Sequence, residues 1–154
     1  MDDTTIALRL GAALVAGAVL GVNRDLRRKP AGVRTHALVS IGSALVVLTA
    51  LIGGGTPESL SRVLQGLITG IGFLGAGVII HHEKERRIEG LTTAASIWVA
   101  AGLGAACGAG LARLVAFAIA AALIILVAGG PLERVFERRF MKPEEARPEQ
   151  EKTE

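Results

Sequence analysis

The sequence predicts an all-α fold: a polytopic membrane helical bundle of five transmembrane helices, N-terminus outside and C-terminus cytoplasmic. Two observations carry that prediction. Long charge-free runs recur along the 154 residues, and positive charge is confined to alternate connections. Between charged residues, 23 positions separate Arg34 from Glu58 and 20 separate Arg62 from Glu83. A further 23 separate Glu89 from Arg113, and 19 separate Arg113 from Glu133. A helix crosses the hydrocarbon core in about 20 apolar residues, so each run accommodates one span. The stretch Thr4 to Asn23 supplies another, with Arg9 near its start. An arginine so placed can extend its aliphatic stem to the headgroups.

The charges orient the bundle. Arg24 to Thr35 holds five Lys/Arg, His81 to Thr92 holds three, and the tail from Gly129 holds six. The other side has only Arg9, Arg62 and Arg113, a split of 14 to 3. Cytoplasmic loops carry the excess of Lys and Arg, which puts the basic loops and the C-terminus inside. The same placement answers the nucleic-acid reading that the basic decapeptide RRKPAGVRTH invites. It lies between two apolar spans and has no aromatic or groove-reading companion, so it is a membrane loop.

Taken in order, span one covers about Ile6 to Val22 and has Gly17 and Gly21 one turn apart. Its flanks, acidic MDDTT and Asn23-Arg24-Asp25, lack the basic start and small-residue cleavage site of a signal peptide, so it is read as retained. Span two covers about Ala37 to Ile52, and GGGTPES then turns the chain. Span three, about Val63 to Ile80, contains Gly66, Gly70, Gly72, Gly75 and Gly77. Span four, about Thr93 to Ala109, contains Gly104 and Gly108, and span five runs from about Leu114 to Ala128. Residues 1–130 are thus read as the transmembrane domain. In 131–142, Leu132, Phe136 and Phe140 repeat at helical spacing among Arg and Glu, predicting an amphipathic juxtamembrane helix along the inner leaflet. The charged, proline-broken 143–154 predicts disorder.

Glycine costs a helix in water about 1 kcal/mol relative to alanine, but in lipid it allows helix backbones to approach closely. All these glycines are read first as helix-packing positions. Those of span three fall on more than one face, which predicts a helix with two neighbours in the middle of the bundle. A broken helix lining a pathway is the other reading.

Polar groups inside lipid need partners, so their positions are informative. Gln65 and Thr69 share a face of span three; Thr92, Thr93 and Ser96 open span four. The plainer reading is threonine N-capping and interhelical hydrogen bonding. The functional one is that the positive end of span four faces an anionic group. A polar rim collects Asn23, Arg24, Asp25, Arg34, Thr35, His36, His81, His82 and Glu83, with Asp25 expected to pair with a neighbouring cation. No Asp or Glu falls within a predicted span, whereas a hard divalent cation asks for carboxylates or a ring of carbonyls. Asp25 and Glu83 are the only metal candidates, and then through a symmetric homo-oligomer that multiplies them. No nucleophile–base pair or phosphate loop is present, so no enzyme and no cofactor is expected, Mg²⁺ association apart. The single cysteine, Cys107, excludes an intrachain disulfide and a Cys-based zinc site and reads as a packing residue.

Three stretches, GVNRDLRRKPAGVRTHALVSIGSAL, QGLITGIGFLGAGVI and GLTTAASIWVAAGLGAACGAG, in this order and covering about Leu10 to Ile125, resemble the membrane domain of the MgtC/SapB family. The family's five-span, N-out arrangement agrees with the charge count. The resemblance implies a multi-pass bacterial inner (plasma) membrane protein, of a virulence-associated family tied to growth under magnesium limitation and, in pathogens, to survival inside macrophages. It implies regulation of another membrane complex, such as the proton-driven ATP synthase. The alternative is an oligomeric transporter or channel for Mg²⁺ or another ion. It maps the family's polar motif onto Arg24, Asp25, Arg34 and Thr35, its glycine-rich segment onto Gly70, Gly72, Gly75 and Gly77, and further polar positions onto Glu83 and Thr92. Val99 follows the tryptophan where some members have cysteine, and the tail is short where many append a soluble cytoplasmic domain.

Overall fold

A computed structural model describes residues 1–82 and 87–140. The described chain is helical apart from one short hairpin. Helix α1 is Asp3–Leu26, α2 Val33–Ile52, α3 Pro57–Gly77, α4 Leu91–Ala109 and α5 Ala112–Phe140. Strands β1 (Ile80–His82) and β2 (Arg87–Glu89) pair antiparallel between α3 and α4, with Ile80 opposite Glu89. The third predicted span therefore starts and stops earlier than expected: the helix ends at Gly77, and Ile80 belongs to a strand.

Four helical stretches are long and apolar enough to cross a membrane: α1, α2, α4 and residues 112–132 of α5. Each has 19 residues or more, which at 1.5 Å per residue reaches about 28 Å. Helix α3 is not among the four. Its 21 residues include Glu58, Arg62, Gln65 and Thr69, and its glycines add length without apolar surface.

The turns follow local chemistry. Thr56 caps α3 by accepting from the Ser59 N–H at 3.3 Å, and Pro57 occupies the first helical position, where its missing N–H costs nothing. Gly110, at φ +79°, ends α4 in the left-handed conformation that glycine adopts without strain. Arg9, expected to reach for the headgroups, instead donates from Nη1 to the Gly108 carbonyl at 2.8 Å, where the negative end of α4 needs a donor. Residues 131–140, expected as a separate amphipathic element, continue α5, with Pro131 inside the helix. Proline denies the carbonyl four residues earlier its helical donor. Here that carbonyl belongs to Val127, and Arg27 Nη2 donates to it at 3.3 Å. Residues 141–154 and the expectation of disorder there lie outside the described residues.

The centre of the bundle is α2 against α1 and α4, with α1 also touching α4. Ala13, Ala16, Leu20, Ala44, Ala100, Leu103 and Cys107 form its core with Val115. Four alanines and a cysteine among eight residues let the helices lie close, so dispersion between backbones does much of the holding. The expectation of a central α3 is corrected. It touches α4 and α2, but Ile71 is its only buried residue. Close approach favours α2 and α4 for the centre: Ser40 and Ala44 of α2 lie against Gly104 and Gly108 of α4, and the α2 backbone at His36 and Val33 lies against Gly17 and Gly21 of α1.

Candidate functional site

The polar residues gather at the end of the bundle where α1 finishes and α2 and α4 begin. Arg24 stands in the last turn of α1, His36 in the first turn of α2, and Thr93 and Ser96 in the first turns of α4. All four are buried. The Arg24 guanidinium donates from Nη2 to Thr93 Oγ1. His36 bridges the Gly32 carbonyl, 3.1 Å from Nδ1, and Ser96 Oγ, 3.1 Å from Nε2. A carbonyl can only accept, so Nδ1 carries a proton, and in the neutral ring Nε2 accepts from the Ser96 hydroxyl. That hydroxyl also lies 2.8 Å from the Thr93 carbonyl, so one proton has two acceptors to choose between.

Among the described residues, two buried side-chain atoms lack a hydrogen-bond partner: Arg24 Nε and Asn23 Oδ1. Among the described residues no carboxylate accepts from Arg24. The adjacent Asp25 is committed elsewhere. Its Oδ2 accepts from the Val33 N–H at 3.0 Å, placing a carboxylate on the positive end of α2. The carboxylate occupies the space that a Cβ at position 32 would need, so a side chain there would push Asp25 off the cap. The expected ion pair of Asp25 with a neighbouring cation is thus replaced by helix capping.

Other sequence candidates are placed as follows. Arg34, Thr35 and Thr92 are exposed at the same end, and Glu83 lies outside the described residues. The α4 threonines do not cap their helix; Gly90 holds that position at φ +93°, without a side-chain bond, because only glycine fits so close to the Val78 carbonyl. Gln65 and Thr69 are exposed and bond within α3, to Ser61 Oγ at 3.4 Å and the Gln65 carbonyl at 2.9 Å, rather than to another helix. Among the described residues no group of three His, Cys, Asp or Glu could hold a metal ion.

The glycines divide by helix. A Cβ at Gly17 would overlap the His36 backbone, one at Gly21 the Val33 backbone and one at Gly104 the Ser40 backbone. At Gly108 it would come within 2.7 Å of the Ala44 carbonyl. In α3, Gly66, Gly70, Gly72 and Gly77 have nothing within 4 Å of that position, and Gly75 meets only Ala94 at 3.7 Å.

Two further residues matter and escape a reading of the sequence, Ser40 and Ser43, and a third, Arg9, takes a role that reading did not give it. Ser40 is fully buried and donates to the Ala13 carbonyl of α1 at 2.7 Å, at the crossing where Gly104 of α4 also rests on it. Buried Ser43 bonds back to Val39 at 2.8 Å. Arg9 ties α1 to α4. The spacing of Ser40, four residues beyond His36, was the available signal for the first.

Comparison with known proteins gives a consistent result. The chain is 43% identical to Protein SrpB of Synechococcus elongatus over 124 residues, 73% of this chain and 68% of that protein. It is 39% identical to Protein MgtC of Salmonella paratyphi A over 142 residues, 92% of this chain and 58% of that protein. With Protein MgtC of Brucella abortus it shares 37% identity over 134 residues, 86% of this chain and 55% of that protein. The chain therefore spans little more than half the length of these MgtC relatives. No solved structure matches. The family model described as MgtC family matches residues 10–135, and with relatives at this identity the chain belongs to the MgtC family and is a membrane protein of the MgtC type.

Proposed function

We propose that this protein is a five-span bacterial inner-membrane regulator, N-terminus outside, that restrains another membrane complex during adaptation to low magnesium. The proton-driven ATP synthase is the complex to test first. The observation that carries the reading is the open face of α3. Gly66 and Gly70 line a groove beside α2, with Val46, Val63, Leu67 and Ile71, and no described side chain fills it. In α1 and α4 the same glycine spacing is used inside the chain; in α3 it is left available, as a helix awaiting a neighbour would leave it. Gln65 and Thr69 on this helix are costly against lipid and gain from a covering protein. The 14-to-3 split of basic residues supports the orientation.

A photo-crosslinking residue at position 70, in cells grown under magnesium starvation, should capture a membrane subunit of the ATP synthase. Inverted vesicles containing the protein should synthesise ATP more slowly at the same proton gradient. Crosslinks to the protein itself alone, with unchanged synthesis, would overturn the reading. Specific Mg²⁺ flux into liposomes holding only this protein would replace it with an ion pathway.

A further inference from the structure

We propose that the first turn of α4 and Arg24 together form a binding site for a phosphate group, carried by a phospholipid headgroup or by a free phosphate ion. The inference stands apart from the regulatory reading. Helix α4 is 19 residues long and starts without a side-chain cap. Its first intrahelical bond runs from the Ala94 N–H to the Gly90 carbonyl at 2.8 Å. The N–H groups of Leu91, Thr92 and Thr93 precede that bond and have no acceptor among the described residues. Leu91 and Thr92 are exposed, so this end of the helix is open.

The second observation is Arg24. It is 3% exposed and reaches the same turn through Thr93 Oγ1, while its Nε has no acceptor. A guanidinium cannot deprotonate in a protein. A full positive charge is therefore buried against the positive end of a helix, and no carboxylate of the described residues offsets it. Removing a charge from water without a counterion is costly. The neighbouring helix α2 resolves the same problem with the Asp25 carboxylate. At α4 the arrangement is inverted: the donors and the cation are supplied, and no described residue supplies the anion. Backbone N–H groups beside an arginine fork suit phosphate oxygens. The exposed cations Arg28, Lys29 and Arg34 on the adjoining loop and helix start raise the local concentration of anions.

The test is thermal unfolding of the purified full chain at fixed ionic strength. Inorganic phosphate is compared with chloride in neutral detergent, and phosphatidylglycerol nanodiscs are compared with phosphatidylcholine nanodiscs. A saturable rise in midpoint with inorganic phosphate assigns a free anion; a rise only with phosphatidylglycerol assigns a headgroup. A rise with neither overturns the site. Arg24→Lys should weaken binding about tenfold, because an ammonium lacks the fork, whereas Arg62→Gln, at the opposite end of the bundle, should change it less than twofold. Should Arg24→Lys fail to fold, phosphate titration of the unaltered chain followed by amide NMR should shift the Leu91, Thr92 and Thr93 N–H signals and leave that of Val33, already bonded to Asp25, unmoved. Equal weakening in Arg62→Gln, full binding in Arg24→Lys, or a titration that leaves the Leu91, Thr92 and Thr93 amides unmoved overturns the proposal.

Discussion

Helices α3 and α4 carry glycines at the same four-residue spacing and use them oppositely. In α4, Gly104 and Gly108 lie against the backbone of Ser40 and Ala44, and ten of the helix's 19 residues are buried. In α3, Gly66 and Gly70 face open space, and one residue of 21 is buried. The spacing makes a helix face smooth; it does not say what the face will meet. What decides is the partner. Helix α2 offers Ser40 and Ala44 where α4 passes, while no described residue comes within 4 Å of a Cβ at Gly66 or Gly70 of α3.

The largest expected effect breaks this comparison at its strong end. Gly104→Leu puts a side chain into the Ser40 backbone and should cost at least about 3 kcal/mol. Loss of the monodisperse folded species in size-exclusion chromatography would show it, and an unchanged profile would mean that α2 and α4 are not in contact. Next comes Arg9→Gln, which removes the cation from the end of α4 and should cost about 1 kcal/mol, read as a lower unfolding midpoint. Ser40→Ala deletes the bond to the Ala13 carbonyl and should cost about 0.6 kcal/mol, the typical size of a hydrogen bond between membrane helices. Gly70→Ala should change the stability of the isolated protein by less than about 0.5 kcal/mol, since the added carbon meets nothing. A cost above 1 kcal/mol in that variant would place α3 inside the bundle and end the contrast.

The two helix starts on the polar end make a second pair. Asp25 is followed by a glycine-containing turn that folds its carboxylate back onto Val33, eight residues on. Such a contact is legible only once the turn is known, since residues 27–32 include Arg28 and Ala31 at positive φ. The alternative, pairing with one of several nearby cations, is what sequence proximity suggests. In the same way, the threonines at 92 and 93 satisfy the pattern of helix caps, but the hairpin brings Val78 so close to residue 90 that glycine takes the cap and shifts both threonines into the helix. Arg24, His36, Thr93 and Ser96 were all recognisable as candidates, because polar residues at the ends of apolar runs stand out. Their joining into one buried cluster was not, because it depends on which helix ends adjoin.

The sequence by itself determined the all-helical class, the long apolar segments and the strong bias of positive charge, along with three ordered motifs that identify the family. These are properties of single segments, and composition and period suffice to express them. Tertiary structure alone decided that α2 and α4 form the centre, that Arg9 caps a helix and that α3 keeps its glycines open. It alone left Arg24 charged beside a helix start, with no carboxylate bonded to it among the described residues. Each of these depends on the distance between groups far apart in the chain, and a Cβ of clearance or a single carbonyl within reach settles it.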